Sequence, residues 1–340
     1  MDVQLPADRR DGPGRSRPDI ALRPVYAALD LGTNNCRLLI ARPSPGGFRV
    51  IDAFSRIVRL GEGLSRANRL SSQAMERALA ALRVCGAKME RRGVTAARAV
   101  ATEACRSAVN CDEFLELVVR ETGISIEIIP AEEEGRLALA GCSALLQWDI
   151  PYALVFDIGG GSTELMWLEV HRGRPVRLID QISVRRGVVS LTECYGGDQV
   201  SAEVYRAMVA EITAEISGFE AANGIRQALE HGQVQMLGTS GTVTTLAGIN
   251  LNLPRYDRSM VDASYLAVAD ARAVTTRLLG LDFEGRAAHP CIGRDRADLV
   301  IAGCAVLEAI CDMWPVKRLR IADRGLREGI LVDLIGAANH

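Results

Sequence analysis

The sequence predicts an α/β protein built as two duplicated lobes, each with a mixed sheet, around a central cleft. Three observations carry this. The stretch "YAALDLGTNNCRLLIARPSPGGFRVID" from Tyr26 is echoed by "YALVFDIGGGSTELMWLEVHRGRPVRLID" from Tyr152. Both read strand, Asp-x-Gly, small polar residues, strand, Gly-containing turn, strand, so that Asp30 corresponds to Asp157 and Gly32 to Gly159. A repeat of well over a hundred residues is a duplicated domain rather than a short solenoid unit. Strands alternate with helices after each repeat start, which is the pattern of α/β architecture. The length of 340 residues suits two domains of ordinary size.

Taken in order, residues 1–24 are rich in Pro, Arg and Asp and lack the apolar centre of a signal peptide, so a disordered leader is expected there. "VYAALDLG", "RLLIARP" and "FRVIDAFSRIVRL" form three strands, with a turn at Ser44–Gly47. Ser71 and Ser72 open an amphipathic helix running to Arg92. Strand "AARAVAT", a helix from Asp112 to Thr122, strand "ISIEIIP" and a helix from Glu132 to Leu146 follow. After the second three-stranded start come helices at Gly187–Tyr195 and Ala202–Ala222, then strand and helix start in "VQMLGTSGTVTTLAGIN". Helices at Ser264–Leu279 and Asp295–Trp314, strand "KRLRIA" and a helix after "DRGLREG" complete the chain. The expected lobes are 25–136 and 137–340, with the last helix returning to the first lobe.

Composition narrows the function. The formal net charge is −2, which argues against a non-specific nucleic-acid binder. No apolar run reaches the roughly 18 residues of a membrane span. Nine scattered cysteines with no Cys-x-x-Cys spacing fit reduced thiols and a cytoplasmic protein. Lys88 and Lys317 are the two lysines, and neither precedes Ser or Thr, which excludes a Walker-type phosphate loop. Four histidines supply neither a triad nor a metal-binding spacing.

The repeated hairpins point to phosphate. Glycine adds no Cβ to block an anionic oxygen from the turn amides, so Gly159, Gly160 and Gly161 are candidate phosphate ligands. The hydroxyls of Thr33, Ser162 and Thr163 and the amides of Asn34 and Asn35 add donors. An aspartate beside phosphate is repulsive unless a cation intervenes, so Asp30 and Asp157 imply magnesium held through water. Singly, each aspartate would read as a plain strand-end cap; the duplication favours the shared role. Gly238, Ser240, Gly241 and Thr242 place small residues at a helix N-terminus, which binds anions; an ordinary N-cap is the competing reading. Gly-x-Ser-x-Gly is not satisfied, because Thr242 stands where glycine would be needed. Glu132, Glu133 and Glu134 open the helix between the lobes, and one of them could orient a water for attack on phosphorus.

"ALDLGTNNCRLLIA", "ATEACRSAVNCDEFL", "EEEGRL", "FDIGGGSTEL", "GTSGTVTTLAGI", "RADLVIAG" and "GLREGIL" together resemble the Ppx/GppA family of exopolyphosphatases and guanosine pentaphosphate phosphohydrolases. The resemblance covers Val25 to Ile335 and implies an actin-like, ribonuclease H-like fold. It also implies Glu134 as the catalytic glutamate, and Arg106 as an arginine on the phosphate chain. The first loop, Asp30 to Asn35, and the second, around Asp157, would hold phosphate, with Arg37 and Arg106 offsetting charge. Three departures stand out: Pro130-Ala131 replaces the usual Ser-Gly, Gly135 replaces the alanine of Glu-Ala-Arg, and Ser190 occupies the place of a usual arginine. The chain also stops where longer members add a helical domain. The expected activity is magnesium-dependent removal of terminal phosphate from inorganic polyphosphate, by a homodimer without membrane or nucleic-acid partners. Guanosine pentaphosphate is the alternative substrate, and an actin-like kinase or a non-catalytic nucleotide-binding protein are the alternatives outside the family.

Overall fold

The computed structural model describes residues 24–338; the expected leader lies almost wholly outside them. The first lobe holds strands β1 (Tyr26–Leu31), β2 (Asn35–Ser44), β3 (Gly47–Ile57), β4 (Ala96–Ala101) and β5 (Glu127–Ile128). The second holds β6 (Tyr152–Ile158), β7 (Thr163–Glu169), β8 (Arg177–Val184), β9 (Val234–Thr239), β10 (Tyr265–Ala267) and β11 (Arg318–Ala322). The sheet orders are β3-β2-β1-β4-β5 and β10-β11-β9-β6-β7-β8. Reversed, the second reads β8-β7-β6-β9-β11 with β10 added at its edge, so the two sheets share one plan. In each, the opening hairpin is antiparallel and the next strand joins in parallel, β1 with β4 and β6 with β9. β1 and β6 are central and covered on both faces, which is why "YAAL" and "ALVF" are unbroken apolar runs.

Each lobe has its own core. Leu29, Leu31, Leu38 and Ile40 pack under the helices Ser72–Arg91 and Cys111–Thr122, through Leu79, Leu82 and Phe114. In the second lobe Phe156, Leu165 and Ile321 pack against Ala202–Asn223 and Val300–Met313, through Met208, Ile212, Val306 and Ile310. Two further helices lie between the sheets. Leu326–Ala337, the last helix, sets Leu326, Ile330 and Leu331 against Tyr26, Ala28 and Leu39 of the first sheet. Ala131–Cys142 runs beside it and brings Cys142 to Val155 and Met166 of the second. These helices touch backbone to backbone. A Cβ at Gly329 would fall 1.9 Å from the Leu137 carbonyl oxygen, and one at Gly141 2.0 Å from that of Gly325. The residue-136 division proposed from sequence falls inside this continuous helix pair.

Among the element boundaries that differ from the sequence expectation, three lie at helix ends in or beside the second lobe. The helix expected from Ser264 begins at Val268, because Tyr265–Ala267 pairs with β11 as an edge strand and Tyr265 stacks under Arg318 and Arg320. The helix expected to reach Leu146 ends at Cys142 and tightens into a single 3₁₀ turn. The helix expected from Asp295 starts at Val300, after a 3₁₀ turn at Arg294–Arg296.

Candidate active site

The two Asp-x-Gly hairpins meet at a cleft of about 550 Å³ between the lobes. Each turn is closed by the same bond: Gly32 N–H donates to the Asn35 carbonyl at 2.9 Å, and Gly159 N–H to the Ser162 carbonyl at 2.9 Å. The three glycines have separate reasons. A Cβ at Gly159 would press within 2.8 Å of the Ser162 carbonyl oxygen. At Gly160 it would lie 3.0 Å from Thr33 Cβ, and at Gly161 2.7 Å from Thr33 Oγ1. The first glycine closes the turn, and the other two let the loops of the two lobes touch.

Asp30, Thr33, Asn34, Asn35 and Arg37 line the cleft from the first lobe, and Asp157, Gly159, Gly160, Gly161 and Ser162 from the second. Ser240, Gly241 and Thr242 line it at the start of the helix Gly241–Asn250, where Ser240 takes the strained value φ 118 and its side chain accepts from Thr242 N–H. Glu134 lines it from the first turn of Ala131–Cys142. Three expected ligands are elsewhere. Thr163 is buried and donates to the Arg186 carbonyl at 2.7 Å, because a strand residue next to Ser162 points to the opposite face. Gly238 lies within β9 beneath Phe156, whose ring would meet a Cβ at 2.5 Å, so its smallness serves packing. Arg106 is half-buried behind the lining, where it donates to Glu134 at 2.8 Å, to Glu103 at 3.1 Å and to the Ile129 carbonyl at 2.9 Å. Ser190 caps its helix by accepting from Gly187 N–H at 2.9 Å.

The three adjacent glutamates diverge. Glu134 pairs with Arg106 and lines the cleft, Glu133 pairs with Arg98 and Arg136, and Glu132 is exposed at a separate small cavity. Burial raises the Glu134 carboxyl well above the usual range, with Glu164 and Asp157 adding to this and Arg106 opposing it. Glu164 was not singled out from sequence. It is cross-strand from Asp157 in the β6–β7 register, accepts from Ser162 at 2.7 Å and Ser183 at 2.9 Å, and burial pushes it up to about 7. Counting back along the hairpin from Asp157 would have found it. Burial likewise raises Asp157 to about 6, and raises Asp30, with Arg37 opposing both. Arg296 and Arg327 also line the cleft, and burial lowers both. Among the described residues, no carboxylate lies within ion-pair distance of Arg37, Arg296 or Arg327.

The chemistry of these groups suits a hydrated hard cation. Asp30 and Asp157 are half-buried carboxylates without an ion-pair partner among the described residues, and Asn34 and Asn35 each leave a buried side-chain oxygen without a hydrogen bond. Among the described residues, no group of three or more His, Cys, Asp or Glu side chains is placed to hold a metal ion directly. A cation here would therefore keep much of its water shell, as magnesium does.

A two-lobed α/β cleft between paired Asp-x-Gly hairpins, lined by arginines that have no carboxylate partner among the described residues, has the architecture of the actin-like class. The comparisons with known proteins narrow this. Residues 39–338 match the model of the Ppx/GppA phosphatase family, and the chain belongs to that family. It is 32% identical over 314 residues to the guanosine-5'-triphosphate,3'-diphosphate pyrophosphatase of Aeromonas hydrophila; the match takes in 92% of this chain and 60% of that protein's length. The crystal structure of the Aquifex aeolicus member of the family superposes with a TM-score of 0.76 at 28% identity, covering 93% of this chain and 99% of that one. An exopolyphosphatase from Cytophaga hutchinsonii shares the fold, with a TM-score of 0.82 at 22% identity over 92% and 98% of the two chains. No helix among the described residues is long and apolar enough to cross a membrane.

Proposed function

We propose that this phosphatase removes the terminal phosphate of inorganic polyphosphate, with Glu134 as the base that deprotonates the attacking water. The observation that carries this reading is the placement of Glu134. Its carboxylate is largely buried, held by Arg106 at 2.8 Å, and lines the same cleft as both phosphate loops. A general base works best when its affinity for a proton is near the working pH, and burial shifts Glu134 in that direction. Water oxygen forms a bond to the terminal phosphorus as the bridging P–O bond breaks. The water's proton goes to Glu134, and the shortened chain leaves as the anion. The Gly159–Gly161 amides and Ser162 would orient the phosphoryl group, and Arg37, Arg296 and Arg327 would offset chain charge. Asp30, Asp157, Asn34 and Asn35 would hold magnesium through water, and the ion supplies charge neutralisation at the phosphoryl oxygens.

Phosphate release from long polyphosphate in magnesium, lost in Glu134→Gln, tests the proposal. A second reading has its own support. Tyr256, Pro290, Cys291, Ile292, Leu299 and Val300 give one part of the cleft an apolar wall that a bare phosphate chain does not require. A nucleoside would fit such a wall, and the Aeromonas relative's name points to guanosine pentaphosphate. Measuring both substrates side by side decides between them: a kcat/KM larger for guanosine pentaphosphate replaces the first reading with the second.

A further inference from the structure

Besides the helix pair and the touching loops, the lobes are joined at a further place, outside the cleft lining. Arg59, in the loop after β3, donates both terminal nitrogens to the Asp298 carboxylate at 2.8 and 3.0 Å, and one of them reaches the Asp295 carbonyl at 3.2 Å. Nearby, the Glu193 carboxylate accepts from Gly63 N–H at 2.6 Å and from the Ser65 hydroxyl. Arg66 donates to the Glu193 carbonyl at 3.2 Å.

These contacts are wired to the cleft on both sides. In the first lobe the Asn34 carbonyl accepts from Val58 and Arg59 N–H at 2.8 and 3.0 Å, and the Thr33 carbonyl from Gly61 N–H at 2.9 Å. In the second, Asp298 lies between the cleft residues Arg296 and Leu299, and Glu193 belongs to the helix Val188–Tyr195, whose first residue lines the cleft. Arg59 itself has φ 47, a left-handed backbone in which a side chain is disfavoured. Such strain persists where the surroundings over-determine it, and it clusters at clamps and switches. The two Asn34 bonds hold the strained backbone and aim the guanidinium at Asp298. Exposed single ion pairs contribute little, but a planar two-point Arg–carboxylate pair adds geometric specificity as well as energy. Asp298 keeps only 16% of its side chain exposed.

We propose that Arg59, Asp298 and Glu193 form a clasp that retains a polyphosphate chain in the cleft between successive cleavages, and so set selectivity for long chains over short ones. This rests on the polyphosphate reading above. Each cleavage leaves a chain one unit shorter that is still a substrate. Whether it slides inward or departs depends on whether the lobes part. With the lobes joined both by the helix pair and by the clasp, a bound chain can move along the cleft while sideways escape requires the clasp to break. Tripolyphosphate is exhausted within a cleavage or two and gains nothing from retention.

Two variants test this without touching the phosphate-binding residues. Arg59→Gly removes the guanidinium and relieves the left-handed strain, so the fold should not suffer. Asp298→Asn keeps size and removes charge. Each protein is bound to end-labelled long polyphosphate, and magnesium is added with a large excess of unlabelled polyphosphate as a trap. Gels then give the number of phosphates removed per encounter. The expected result is a loss of about tenfold in that number for both variants, the factor that about 1.4 kcal/mol of binding is worth. Their kcat/KM on tripolyphosphate should match that of the unaltered protein, and retention by the unaltered protein should fall as sodium chloride rises. Unchanged phosphates per encounter in both variants would overturn the clasp. So would an equal loss on tripolyphosphate, which would make the contacts part of assembling the site. An unaltered protein that releases a single phosphate per encounter would also overturn it. If the unaltered protein cleaves neither substrate, the polyphosphate reading itself falls, and the two failures are thereby distinguished.

Discussion

Replacing Glu134 by glutamine separates a catalytic carboxylate from a structural one. The change is nearly isosteric, and the amide oxygen can still accept from Arg106, which also keeps its bonds to Glu103 and to the Ile129 carbonyl. Because burial raises the Glu134 carboxyl, the folded state holds that proton more tightly than the unfolded state does. The ionised carboxylate therefore costs stability near neutral pH, and an uncharged glutamine removes that cost. The melting temperature should stay level or rise. Loss of a general base lowers turnover by roughly 10²–10⁴-fold, or about 2.7–5.4 kcal/mol of activation free energy. Glu133 and Glu132 provide controls within the same helical turn. Glu133 is spent on Arg98 and Arg136, and Glu132 is exposed and does not line the cleft, so their glutamine variants should retain turnover. Glu133→Gln should lose a little stability instead, because its two arginines hold that carboxylate below its usual range. The assay is phosphate release from polyphosphate beside a melting curve for each variant. Equal small losses in all three, or a Glu134→Gln protein that turns over normally, would refute the reasoning and move the activation of water elsewhere.

Stability should fall as pH rises toward neutrality in chelator. Asp157 is raised from 3.8 to about 6 and Glu164 from 4.5 to about 7, so across that window the folded state binds more protons than the unfolded state. Melting temperatures measured from pH 5 to 7.5 check this, and a steady rise across the range would contradict it. Magnesium should return part of the loss by neutralising the cleft carboxylates; no shift of the melting curve on adding it would count against the cation site. Turnover should vanish in excess chelator and return with magnesium, whereas full activity in chelator would remove the ion from the reading. Gly329→Ala should destabilise the protein by about 1–3 kcal/mol or more, the usual cost of overpacking, because its Cβ would fall 1.9 Å from the Leu137 carbonyl. An unchanged denaturant midpoint would mean that the helix pair shifts freely.

Much of the site was legible because its chemistry is written in local sequence. The Asp-x-Gly turns, the glycine run and the helix start at Ser240 are short-range patterns, and the repetition of the first pattern implied two lobes and a cleft. Glu132, Glu133 and Glu134 read alike locally and the family resemblance picked out Glu134; in the structure the three diverge because a helix turns by about 100° per residue. Other residues depended on pairing. Glu164 acquires its importance from the register that sets it beside Asp157, and Thr163 loses its expected role through the same alternation. Gly238 reads locally as part of a phosphate loop, yet its neighbour is the Phe156 ring on the adjacent strand. Arg106 and Arg37 were expected to act alike on phosphate. Only packing decides that Arg106 is bound to two carboxylates while Arg37 has no such partner among the described residues.

By itself, then, the sequence determined the duplicated α/β plan and the paired Asp-x-Gly turns, because each depends on periodicity or turn chemistry within a few residues; Glu134 came forward among three adjacent glutamates through the family resemblance. The tertiary structure alone decided which cleft arginines have no carboxylate partner among the described residues, how Glu164 is buried beside Asp157, and where Arg59 meets Asp298, 239 positions away in the chain. Those features arise from contacts between distant segments, and no local pattern records which segment a side chain will face once the lobes have packed.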